Sequence, residues 1–105
     1  MKKELYKARA ELARALAHET RLAIIDILGE EGEKCVCELT ELLDISQSSV
    51  SKHLGILKQA GVVDSKKEGL NVCYFLRTPC VVNFFTCLDN ILLKDLEKRK
   101  EQLMG

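Results

Sequence analysis

The chain has 105 residues with 16 basic and 16 acidic side chains, five cysteines, one proline and no tryptophan. That length suits one small domain and excludes large catalytic architectures. No stretch approaches the ~20 unbroken apolar residues of a membrane span, and Met1-Lys2-Lys3-Glu4-Leu5 opens a charged helical pattern instead of a signal peptide, so a soluble cytoplasmic chain with no membrane partner is expected.

Leu5, Leu12 and Leu16, with Ala8 and Ala15 between them, recur at helical spacing among charged residues and predict an amphipathic helix over about 3–17. A second helix follows, capped by His18 or Thr20, with Leu22, Ile25, Ile27 and Leu28 as its apolar face and Gly29 and Gly32 at its end. A short third helix covers 36–43. After the turn at Asp44-Ile45-Ser46, a fourth runs from Gln47 to Gly61, with Val50, Leu54 and Leu57 on one side. At about 100° per residue, Ser48, Ser51, Lys52, Gly55 and Gln59 spread over the other. An exposed face of Ser, Gln and Lys around a glycine is poor for a purely structural helix and good for close approach to a partner.

Two β-type segments, 62–67 and 70–77, are joined at Glu68-Gly69, where glycine suits a hairpin turn. Pro79 sits near the start of a last helix, about 79–103, whose apolar residues (Val82, Phe84, Phe85, Leu88, Ile91, Leu92) run into a charged end. No linker, repeat or low-complexity segment divides 1–105. The order spells a mainly α single domain with a β-hairpin wing, a winged helix-turn-helix. Its first and last helices carry apolar stripes wider than so small a core can cover, which predicts a homodimer through them.

The neutral total hides a regional split. Residues 46–77 carry Lys52, Lys58, Lys66, Lys67 and Arg77 against Asp64 and Glu68, whereas residues 19–44 hold eight acids against Arg21 and Lys34. The first region can offer a modestly basic face to phosphate, and binding there would weaken with salt.

The run from His18-Glu19-Thr20-Arg21-Leu22 through Cys35-Val36-Cys37-Glu38-Leu39 to Ser46-Gln47-Ser48-Ser49-Val50-Ser51-Lys52-His53-Leu54 and Ala60-Gly61-Val62-Val63 resembles the ArsR/SmtB repressors. The resemblance covers nearly the whole chain. It implies a dimeric winged-helix repressor that leaves double-stranded operator DNA when a metal or metalloid binds. It also implies that Gln47, Ser48, Ser51 and Lys52 face the major groove and that Lys66 and Lys67 touch flanking backbone. Lys58 joins the DNA-binding set, as does His53, in the role of a packed or phosphate-contacting side chain.

Cys35-Val36-Cys37-Glu38-Leu39 looks like the sensing segment of the arsenic-responsive branch, which implies Cys35 and Cys37 as ligands of As(III) or Sb(III). Soft thiolates select soft ions, in agreement. On a continuous helix those two residues would point about 200° apart, so shared binding would require the first turn to unwind. The branch often carries a further Cys where this chain has Thr40, leaving Cys73, Cys80 or Cys87 as candidate third ligands, or none. Cys80 and Cys87, about 10.5 Å apart along a helix, cannot share one ion within a chain.

Other family sites fit less well. Cadmium and lead sensors add N-terminal thiols, yet residues 1–34 hold no Cys; zinc sensors pair Asp with His on the last helix, which here has Asp89 and Asp95 but no His. A thiol redox or sulfide-responsive repressor is the alternative, with oxidation of Cys35 and Cys37, or coupling to another Cys, replacing metal binding. An enzyme has only an unsupported Cys and His as foothold and is not expected, since no phosphate loop or metalloprotease motif accompanies them.

Overall fold

In the computed structural model, which describes residues 2–104, His18 turns the chain from α1 (Lys2–Leu16) into α2 (Glu19–Glu31). Its Nδ1 accepts from the Thr20 amide at 3.0 Å, the expected N-cap. α2 stops at Gly32, whose φ of +82° few other residues tolerate. Gly29, expected to share in that ending, stays inside the helix; a Cβ there would lie 2.9 Å from Val82, so the residue admits the close approach of the last helix.

α3 (Val36–Leu43) occupies the expected span and ends at Asp44 in the left-handed conformation, φ +53°. Ser46 then caps α4 (Gln47–Gln59), its Oγ accepting from the Ser49 amide at 3.1 Å. The wing consists of β2 (Val63–Glu68) and β3 (Asn71–Leu76), paired antiparallel. Glu68 opposes Asn71, so the two-residue turn is Gly69-Leu70, one position beyond the expected one, with Gly69 at φ +63°. The last helix, α5 (Val81–Met104), starts two residues after Pro79, because a turn closed by Val81 N–H donating to Thr78 O at 3.1 Å intervenes.

One element escaped the sequence reading. β1 (Lys34–Cys35) adds antiparallel to β3, giving a three-stranded sheet in the order β1-β3-β2. Two residues are too few to display an alternating pattern, so no periodicity announces it.

Ile24, Ile25, Leu39, Val50, Leu54 and Leu57 are fully buried and lock α2, α3 and α4 together. α1 adds only Leu16, and α5 adds Phe85. Leu5, Leu12, Phe84, Ile91 and Leu92 stay exposed, and a groove of about 610 Å³ between α1 and α5 is lined by residues such as Leu12, Leu16, Leu22, Phe84 and Leu88. The radius of gyration, 16.5 Å, exceeds the about 13 Å of a self-contained chain of this length, and the longest dimension is 58 Å. No helix among the described residues is long and apolar enough to cross a membrane.

Candidate functional site

α4 is held by its buried side, Val50, His53, Leu54 and Leu57, so Gln47, Ser48, Ser51, Lys52 and Gln59 project outward. Gly55 lies on that open side, and a Cβ built there meets nothing within 4 Å. Its own chain does not require glycine at this position. A face free of bulk, rich in hydroxyl, amide and ammonium groups, has the chemistry that contacts phosphates and base edges.

Three residues of the expected DNA-binding set already have partners within the chain, and for His53 the packed alternative is the one observed. His53 is buried, 9% exposed, with Nδ1 3.1 Å from Arg21 Nη1 and its ring 4.4 Å from that of His18. Arginine can only donate, so Nδ1 accepts and the neutral ring carries its proton on Nε2. Burial, followed by the charges of His18, Arg21 and Lys52, holds the His53 pKa below the ordinary histidine value. The same guanidinium caps α1, donating to the carbonyls of Ala15 and Arg14. His53 thus joins α4 to the α1–α2 junction.

Lys58 bonds Ser65 Oγ at 2.6 Å and lies 4.0 Å from Asp64, fastening α4 to the wing. Lys66 reaches Glu33 at 2.8 Å and Glu68 at 3.3 Å; the contact with Glu33 is the main cause of the raised Lys66 pKa and the lowered Glu33 pKa. Both pairs are solvated and of small energetic consequence, but each partly neutralises a base expected to face DNA. Lys67 and Lys52 have no ion-pair partner among the described residues.

The thiols divide by position. Cys35 is the N-cap of α3, in extended conformation (φ −77°, ψ 159°), and its amide donates to Glu38 Oε1 at 3.0 Å. Being outside the helix, it does not follow the helical projection, which corrects the expectation of two thiols on opposite sides of one intact turn. It faces Cys73 across the β1–β3 ladder, Cα to Cα 3.9 Å, and the two sulfurs are joined as a disulfide. Cys73 is 2% exposed, with Glu68 Oε2 3.8 Å from its sulfur.

Cys37 is free and exposed on the first turn of α3. Cys35, Cys37 and Gln47 line one cleft of about 200 Å³ with Asn71 and Val72 of the wing. Three segments therefore meet here: the α3 N-terminus, the first residue of α4, and β3. Thr40 supplies no sulfur where the branch often has a Cys, and its hydroxyl donates to Val36 O at 2.8 Å within the helix. Cys80 lines the α1–α5 groove and Cys87 is exposed on α5; neither lines the cleft. Sequence reading had Cys73 as one of three equal candidates, because the β1–β3 pairing that singles it out is a long-range contact.

Residues 18–65, spanning α2, α3, α4 and the start of the wing, match the model of the family described as bacterial regulatory protein, arsR family. A Methanocaldococcus jannaschii protein described as an uncharacterized HTH-type transcriptional regulator is 36% identical over 88 residues, 84% of this chain and 99% of that one. The chain belongs to the arsR family. The arsenical resistance operon repressor of Escherichia coli is 46% identical over 66 residues, 63% of this chain and 56% of that protein. The cadmium resistance transcriptional regulatory protein CadC of Listeria innocua is 43% identical over 68 residues, 65% of this chain and 57% of that one. The chain thus spans little more than half the length of those two metal-resistance relatives.

Among solved structures, Mycobacterium tuberculosis Rv0081 superposes with a TM-score of 0.80 at 31% identity, covering 90% of this chain and 95% of that one. The homodimeric winged helix-turn-helix DNA-binding domain of Mycobacterium bovis gives 0.79 at 28% identity, covering 92% and 89%. The arsR-family fold here is a winged helix-turn-helix, and the family's business is transcriptional regulation, not enzymatic turnover.

Proposed function

We propose that this arsR-family chain is a cytoplasmic, homodimeric repressor that binds double-stranded operator DNA through α4 and the wing and is released when a thiophilic ion binds cysteine thiolates. The ion is As(III) or Sb(III), and Cys35 and Cys37 hold it. The observation that carries this reading is the cleft in which Cys35 and Cys37 adjoin Gln47, the first residue of the DNA-facing helix. An ion held there competes with the placement of α4 that DNA requires, so inducer and operator oppose each other reciprocally. Gln47, Ser48, Ser51, Lys52 and Lys67 supply the DNA contacts. Homodimerisation is supported by the exposed apolar faces of α1 and α5 and by the homodimeric neighbour. Cadmium and arsenical relatives are similarly close, so the choice of a trivalent ion rests on the resemblance of the Cys35-Val36-Cys37 segment to the arsenic-responsive branch and on its soft thiolates.

The test is fluorescence anisotropy on DNA from immediately upstream of the coding sequence, with protein kept reduced by a phosphine. Arsenite should release the DNA, and Cys35→Ser should bind DNA normally yet ignore arsenite. Retention of the DNA at saturating arsenite, with release by cadmium instead, overturns the choice of ion.

The Cys35–Cys73 disulfide favours a second reading, a thiol redox repressor. A peroxide would take two electrons and two protons from the pair, giving the disulfide and two waters. Release of reduced protein by peroxide but not by arsenite selects this reading.

A further inference from the structure

We infer that the third sulfur of the metalloid site is Cys73, so that a bound trivalent ion ties the wing strand β3 to the N-terminus of α3; this rests on the metalloid reading above. Thr40 spends its hydroxyl on Val36 O within α3, while Cys80 and Cys87 belong to the α5 side of the molecule. Cys73 is the remaining thiol, and β-sheet register, not chance proximity, brings it to Cys35. The flanking pair Lys34↔Tyr74 holds the same alignment.

Cys35 stands between the other two. It faces Cys73 across the ladder on one side and shares the cleft with Cys37 on the other. Its extended N-cap conformation keeps it outside the helical projection of α3, so it is not forced onto the side opposite Cys37. The step needs no oxidant: arsenous acid, As(OH)₃, exchanges its three hydroxyls for three thiolates, each thiol proton leaving with a hydroxyl as water. The product is neutral. That suits a position where the Glu68 carboxylate lies 3.8 Å from Cys73 and Glu33 and Glu68 already share Lys66, since an anionic trithiolate of a divalent ion would add charge beside them.

Two consequences follow. The ion and the Cys35–Cys73 disulfide compete for the same two sulfurs, so the disulfide form cannot bind the metalloid until a thiol or phosphine reductant returns two electrons to it. Release of DNA also involves the wing directly, because β3 carries Cys73 and pairs with β2, the strand that holds Lys66 and Lys67.

X-ray absorption on the reduced full-length protein loaded with one equivalent of arsenite counts the sulfurs. Three are expected, falling to two in Cys73→Ser and remaining three in the Cys80→Ser, Cys87→Ser double variant. Arsenite affinity of Cys73→Ser should fall by at least the roughly 10–100-fold that loss of even an outer partner of a metal ligand costs. Cys73 is buried, so Cys73→Ala serves as a second variant, and operator binding without arsenite certifies the fold of both. Peroxide-oxidised wild type should take up no arsenite until reduced. Three sulfurs retained in both Cys73 variants, or two in the wild type, overturn the assignment and leave Cys35 and Cys37 as the sensor. No arsenite uptake by reduced wild type sinks the metalloid reading and this assignment with it.

Discussion

The helix-turn-helix half of the chain and its two flanking helices solve the same burial problem in opposite ways. α2, α3 and α4 close on one another around Ile24, Ile25, Leu39, Val50, Leu54 and Leu57, which leave no surface exposed. α1 and α5 bury Leu16 and Phe85 and leave Leu5, Leu12, Phe84, Ile91 and Leu92 outside. The first half is finished within one chain. The second has apolar surface in excess of what the chain can cover, and the elongated 58 Å outline is its consequence. Polar groups follow the same division: His53 and Lys58 are used to brace the finished half, and the exposed hydroxyls and amides of α4 remain for a partner.

Breaking the finished half should cost most. Leu39→Ala removes a fully buried side chain from the junction of α3 with the core and should lower stability by about 2–5 kcal/mol, measured by urea unfolding. An unchanged midpoint would show that this core is less closed than its burial indicates.

The unfinished half should respond differently. Leu92→Glu places a charge on a side chain that is 59% exposed in the single chain, so the fold should survive while the dimer fails. Sedimentation should report a monomer with native helical content, and operator affinity should drop by more than about tenfold as two-half-site binding is lost. A dimer persisting in this variant would move the interface away from α5.

The smallest effect probes the His53 brace on the finished half. His53 has a folded pKa below its unfolded value of about 6.5, so the unfolded chain binds a proton that the folded chain resists. The contribution is complete above that value and is lost as pH falls through it toward the folded pKa. Thermal melts at pH 7.5 and 5.5 should therefore show a larger loss for wild type than for His53→Gln, whose amide oxygen can still accept from Arg21. Equal losses would mean that His53 is protonated as readily in the fold as outside it.

Chain-local chemistry carried most of the fold. The His18 cap, the glycine at 32, the span of α3, the turn at 44–46 and the buried stripe of α4 each depend on neighbours a turn or less away, and residue type and spacing disclose them. The close spacing of Cys35 and Cys37 at the start of α3 is legible for the same reason, as is the outward face of Gln47, Ser48, Ser51 and Lys52.

Only tertiary structure decided what those residues meet. A two-residue strand has no period to read, yet β1 places Cys35 opposite Cys73, 38 positions away, and separates that cysteine from Cys80 and Cys87. Likewise Lys66 reads as a base for DNA until the fold sets Glu33 beside it, and His53 reads equally as packed or phosphate-contacting until Arg21 and His18 close over it. Local sequence sets helix, cap and turn because their hydrogen bonds are local; which thiols share an ion and which charges are already partnered depends on contacts that exist only once the chain has folded back on itself.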